Sequence, residues 1–304
     1  MLLTTSLKIS ELSLEDKENF DKYFKIADLQ VSELNFANFF MWRDYYKIRF
    51  SIVNDFLCII SVMEDKEPFC FFPVGDYSRL CDLKCSVLAL KDYFSEMGWS
   101  FRLKRVSAKQ VSILNNLGLE FSAAEDRDNF DYIYLISSLS TLAGKKLDGK
   151  RNHINKFKKL YTFEYEEISE KNISDCRTVL EKWCIQRNYT ESNSLIAERK
   201  ANFDLLDNYN YLGMKGALIK VNGVPEAFTV GEQLNSNTVV VHIEKANANI
   251  QGLYPLINQQ FLANQWTHME YVNREQDLGL EGLRKAKLSY NPAGFVEKFT
   301  VELC

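Results

Sequence analysis

A chain of 304 residues with 46% hydrophobic and 13% aromatic residues has the apolar surface of a folded protein, not of a disordered one. Its length suits two domains of ~150 residues better than a single core. With 37 basic against 41 acidic residues the net charge is -4, so no overall field draws it onto nucleic acid or anionic lipid, and any polyanion site must be local.

The seven cysteines have no repeated spacing, which excludes a disulfide framework at this length. His153, His242 and His268 lie far from them in sequence, so the cysteines read as core and no metal site is expected. The N-terminus shows no basic segment followed by an apolar one. The apolar run from Phe56 to Met63 falls far short of the ~20 residues of a spanning helix. The expected location is cytoplasmic, with no integral membrane segment.

In chain order, the pattern from Ser13 predicts a helix with Ser13 as N-cap and Phe20, Phe24 and Ala27 on one stripe. An aromatic segment, FANFFMWRDYY, leads into strands joined by a hairpin at Asn54 and Asp55. A helix from about Ser78 to Met97 closes at Gly98. A strand, a short helix capped by Ser107 and two further strands carry the chain to about residue 138.

The segment from Lys145 to Lys159 is a local basic stripe, with seven Lys or Arg against Asp148. On a helical wheel Leu147, Ile154, Phe157, Leu160 and Tyr161 share one face, and Arg151, Lys156, Lys158 and Lys159 point away from it. Lys150 and His153 fall inside the apolar sector, where a charge needs a partner or a ligand. A strand and two helices follow, with Tyr189 in the joint between the helices. Two strands then pair through Asn222 and Gly223, residues that tolerate positive φ.

From Val239 to Val301 the chain reads strand, helix, strand, helix, strand, the order that covers a sheet with helices and brings loops to strand ends. The loop NREQD opens where the strand from Met269 ends, and it concentrates two amides, a guanidinium and two carboxylates in five residues. Acyl transfer needs a base, an acid and a donor for the developing oxyanion. Glu244, Glu275 and Asp277 are candidate bases or amine binders, Asn273 can orient a carbonyl, and Arg274, Lys150 and Lys285 can hold phosphate or carboxylate. His153 and Tyr189 complete the candidate substrate-binding set. The expectation is that Asn273, Glu275, Asp277 and Lys285 line one concave pocket.

Three antiparallel strands followed by helix, strand, helix, strand resemble the GNAT acyltransferase fold. In that resemblance Tyr290 occupies the place of a general-acid tyrosine, and the strands ending near Glu244 and Asn273 splay apart around the acyl donor. The coenzyme A loop of that fold is glycine-rich, whereas NANIQGLYP has only Gly252 there. FANFFMWRDYY, GKRNHINKFKKLYTFEYEEI, HIEKAN and YVNREQDLGLEGLRKAKLSYNP together resemble the family related to the C-terminal domain of phosphatidylglycerol lysyltransferases. The resemblance implies an α+β protein of two tandem GNAT-like lobes, each a mixed sheet flanked by helices, related to the Fem-type aminoacyltransferases that use charged tRNA. The lobes are expected at residues 1–138 and 139–304, the second carrying the site.

Three readings of function follow. An aminoacyl-tRNA-dependent transferase would hold tRNA through Arg151, Lys156, Lys158 and Lys159 and act on a lipid head group, a peptidoglycan precursor or a small molecule. An acyl-coenzyme A-dependent N-acyltransferase would grip its cofactor at Gly252. A binding protein with a decayed site would do neither.

Overall fold

The structure is a computed structural model that describes residues 7–64, 66–188 and 192–303. Among the described residues the strands form two seven-stranded sheets, both mixed and both flanked by helices. The chain divides into two compact units, Met1–Phe130 with Val296–Cys304, and Asp131–Phe295. The expected α+β class, two mixed sheets each flanked by helices, is thus present. No helix among the described residues is long and apolar enough to cross a membrane.

The aromatic segment at the start of the first unit is a helix, Phe36–Tyr46, whose Asn35 side chain accepts from the Asn38 N–H at 2.8 Å. It packs by edge contacts such as Phe20 on Phe36 and Phe39 on Phe71. The hairpin at Asn54 and Asp55 forms with φ of 49 and 64 degrees. Lys298–Leu303 is a strand of this first sheet, lying between Arg102–Ser107 and Phe121–Glu125. It is pinned there by Lys298, which is fully buried and donates to Glu33 Oε2 at 2.5 Å. Arg105 bridges the same Glu33 at 3.2 Å and Asp126 at 2.6 Å, so the buried charges are mutually compensated.

The boundary differs from the sequence expectation at both ends. Asp131–Leu135, a strand expected in the first lobe, pairs antiparallel with Tyr271–Asn273 in the second sheet. The run FVEKFTV, expected as one strand, breaks after Val296. Gly294–Val296 forms an edge of the second sheet, and the chain then returns to the first. The physical reason is that both strands satisfy their ladder bonds in the sheet that also buries their apolar face: Tyr132 and Tyr134 in one core, Val301 in the other.

In the second unit, Lys215–Val221, Val224–Gln233 and Thr238–Ala246 run antiparallel, with the turn at Asn222 and Gly223 as expected. Helices Asp148–Leu160 and Leu253–Gln265 cover one core, built on Ile154, Phe157, Leu256, Ile257 and Phe261. Thr238–Ala246 and Tyr271–Asn273 run parallel, but their pairing ends at Val240 opposite Asn273. The first strand continues to Ala246 without that neighbour. This is the parting of strands that places the site.

Candidate functional site

The gap beyond Val240 and Asn273 is filled by charge. Glu244 lies on the part of its strand that has no parallel neighbour, and Arg274 follows the last residue of the other. Arg274 donates from Nη2 to Glu244 Oε1 at 2.8 Å, and Asn258 donates to Glu244 Oε2 at 2.9 Å. The guanidinium carbon stands 4.6 Å from the centre of the Tyr290 ring, and Lys150 Nζ stands 4.0 Å from that same centre. Burial pushes the Tyr290 phenol up to about 12, with Arg274 pulling the other way, so it holds its proton at neutral pH. Arg274 Nη1 is buried without a well-formed hydrogen bond, although the guanidinium also interacts with the Tyr290 phenol. Such an orphan costs about 1–3 kcal/mol.

The loop beside this cluster is held from below. Asn273 is fully buried, donating to Asp131 Oδ2 at 3.0 Å and accepting the Glu275 N–H at 2.7 Å. That turn holds Glu275 at a φ of 57 degrees. Asp277, also fully buried, accepts from Tyr132 Oη at 2.5 Å, from the Gly279 N–H at 2.9 Å and from two nitrogens of Arg284 at 2.8 and 2.9 Å. Burial alone would raise its pKa, but Arg284 and Tyr132 outweigh burial and hold the carboxyl well below the usual carboxylate range. Lys287 donates to the carbonyls of Arg274 and Glu275. Burial and the neighbouring Arg274 bring its ammonium down to about 8.

Sequence reasoning missed His242 and Glu232. Val241 lies opposite Gly231 and Ile243 opposite Val230, so His242 is the extra residue of a β-bulge. A side chain at Gly231 would collide with the Val240 carbonyl, so the close backbone approach requires glycine there. The His242 ring is shielded from solvent, its Nε2 3.0 Å from Glu232 Oε1 and its Nδ1 3.1 Å from Glu275 Oε1. Burial by itself lowers its pKa, but the two carboxylates reverse that and bring it up to about 9. The imidazolium therefore clamps the loop to strand Val224–Gln233.

The other expected residues disperse. Lys150 is half-buried beside the cluster, as its place on the wheel required, but His153 is exposed, as are Leu160, Lys156, Lys158 and Lys159. Arg151 is spent on the carbonyls of Leu142 and Gly144 and on Asp148, which tie the start of its helix to the preceding turn. Lys285 is exposed, and its neighbour Lys287 makes the contacts to the loop. Asn273 and Asp277 have no exposed surface and so line no pocket with Lys285. A cavity of about 660 Å³ lies instead around Glu170, Tyr209, Met214, Gly216 and Gln265. Tyr189 lies outside the described residues.

Gly252 has a local reason of its own. It takes a φ of 93 degrees, and a Cβ there would stand 2.5 Å from the His153 carbonyl oxygen. The glycine lets helix Asp148–Leu160 approach the start of Leu253–Gln265. The backbone where a pyrophosphate would sit is thus packed against a helix, and the residues do not fit a coenzyme A grip. No group of three or more His, Cys, Asp or Glu among the described residues is placed to hold a metal ion.

Fold and site together define an α+β protein of two mixed sheets whose charged cluster occupies the parting of two parallel strands. Residues 24–302 match the family described as phosphatidylglycerol lysyltransferase, C-terminal, and the chain belongs to that family. A conserved protein of unknown function from Bacteroides thetaiotaomicron has 35% identity and a TM-score of 0.91, over 98% of this chain and 100% of that one. L-PGS from Bacillus licheniformis shares the fold at 15% identity and a TM-score of 0.64, over 96% and 92% of the two chains. FemX shares it at 10% identity and a TM-score of 0.60, over 97% of each. An uncharacterised protein of Mycoplasmoides gallisepticum is 24% identical over 174 residues, 57% of this chain and 56% of that protein's length.

Proposed function

We propose that this chain is an aminoacyltransferase that takes an aminoacyl group from charged tRNA and passes it to an amine or hydroxyl acceptor. The observation that carries the reading is the convergence of Glu244, Arg274, Lys150 and Tyr290 where the parallel strands part. In the transfer, the acceptor's amine or hydroxyl attacks the ester carbonyl, Glu244 takes its proton, and Tyr290 returns one to the departing ribose oxygen. Asn273, Glu275 and Asp277 hold the loop that presents Arg274. The exposed Lys156, Lys158 and Lys159 meet the nucleic acid. The lysyltransferase family supports the aminoacyl donor, and the packing of Gly252 against His153 speaks against coenzyme A. Acceptors of the lipid head-group, peptidoglycan-precursor and small-molecule classes all present such a nucleophile.

The test is single-turnover transfer from tRNA charged with labelled amino acids, with labelled acetyl-coenzyme A in parallel and Tyr290→Phe as the variant. Transfer from tRNA that falls roughly a hundredfold or more in the variant, as loss of a general acid predicts, supports the reading. Saturable acetyl-coenzyme A binding with no measurable affinity for tRNA overturns it.

A further inference from the structure

The Tyr290 ring carries two cations with spare donors, Lys150 at 4.0 Å and Arg274 at 4.6 Å from its centre. Glu244 is the carboxylate between them and the sheet, and its two oxygens are already taken by Arg274 and Asn258. Arg274 Nη1 is left buried without a well-formed hydrogen bond, although the guanidinium also interacts with the Tyr290 phenol. The Lys150 ammonium has no hydrogen-bond acceptor or ion-pair partner among the described residues, only the face of the ring. Two positive charges therefore stand against one negative. Burial first, and then Arg274, lowers the Lys150 pKa. Native structures leave few buried donors unpaired, and each such group calls for an explanation. A guanidinium edge and an ammonium sharing one surface match the oxygens of an incoming anion.

We infer that Lys150 and Arg274 form a subsite for a phosphate oxyanion of the substrate, the net single positive charge of the cluster meeting the single negative charge of a phosphodiester. The choice of phosphate rests on the transferase reading, since both a tRNA donor and a lipid acceptor carry phosphodiesters. Lys150 is half-buried, so the anion approaches from its solvent side, with the ammonium standing between the anion and the face of the Tyr290 ring. Binding the phosphate beside Lys150 and Arg274 holds the substrate next to Tyr290, its acid.

The test is titration calorimetry on the full chain with inorganic phosphate, adenosine monophosphate, glycerol 3-phosphate and acetate at matched ionic strength. The variants are Lys150→Met, Lys150→Gln and, as a control, Lys25→Met, an exposed lysine of the first unit. Saturable phosphate binding is expected in wild type and in Lys25→Met. It should weaken at least about tenfold in both Lys150 variants, the loss of one charge-assisted contact, while their melting temperatures stay level or rise because an ammonium without an acceptor has gone. Preference for the nucleotide assigns the phosphate to the tRNA end, and preference for glycerol 3-phosphate assigns it to a lipid head group. Wild-type affinity for phosphate no greater than for acetate, or undiminished in the Lys150 variants, overturns the subsite. Phosphate binding without aminoacyl transfer would sink the transferase reading and leave the subsite standing.

Discussion

Replacing His242 by Gln removes the charged group that links strand Val224–Gln233 to the loop at Glu275. The histidine pKa rises from 6.5 to about 9 on folding. At ~1.4 kcal/mol per unit this proton is worth on the order of 3 kcal/mol. The ring is fully shielded, so solvent screening takes little from that figure. The sign follows from which state holds the proton. Below pH 6.5 folded and unfolded chains both hold it, and the full contribution is present. Between pH 6.5 and about 9 the unfolded chain releases it while the folded one does not, so stability falls as pH rises, and above about 9 the contribution is lost. Lys287, lowered to about 8 in the fold, has the opposite slope at higher pH, but both chains keep it and it cancels in their difference. Urea unfolding of wild type and His242→Gln from pH 6 to pH 10 should show a gap of roughly 3 kcal/mol at the acid end that narrows through the alkaline range. A gap that is constant with pH, or that widens as pH rises, would refute the clamp.

Gly252→Ala should destabilise the second unit by at least about 1–3 kcal/mol, because it combines a left-handed φ with a collision at the His153 carbonyl; denaturant midpoints check this, and an unchanged midpoint would mean the helix yields freely. Asp277→Asn removes the carboxylate that Arg284 and Tyr132 share at a buried position, and because Arg284 can turn to water a loss of about 1–3 kcal/mol is expected, readable by the same unfolding curves. The triple change of Lys156, Lys158 and Lys159 to Ala should leave the melting temperature level, since all three are exposed. It should also flatten the dependence of log tRNA affinity on log salt by about 2–3 units, one for each lost phosphate contact. Filter binding across a salt series tests it, and an unaltered slope would clear those lysines of any part in RNA binding.

Much of the second sheet was legible because its signals are local. The Asn222 and Gly223 turn, the apolar helix from Leu253 and the strand at Val272 each follow from patterns within a few residues. The cluster of Glu244, Arg274 and Tyr290 was reachable because each stands where the fold order ends an element. His242 was not reachable: the sequence VVVHIEK alternates acceptably as a strand, and the extra residue exists only in the pairing with Gly231. The expectation fell on Lys285, and Lys287 was missed for want of the helix phase. Arg284 and Lys287, three apart, share the side facing Asp277 and the loop carbonyls, and that spacing behind an aspartate was the available signal. The reason for Gly252 lies a hundred or so residues away in a helix it touches, beyond any local pattern. The breaking of FVEKFTV between two sheets was hidden for the same reason, since Val296 and Lys298 find partners that periodicity does not name.

That return of the chain fixes the order of events during synthesis. The strand Lys298–Leu303 lies between two neighbours, Arg102–Ser107 and Phe121–Glu125, that leave the ribosome long before it. Until it arrives, the first sheet has two unpaired inner edges, each a template for wrong pairing. The inserted unit, Asp131–Phe295, has its own core and can close first. A fragment ending at Phe130 would accordingly be a poor expression target. Joining residue 130 to residue 296 through a short linker would give the first unit its missing strand.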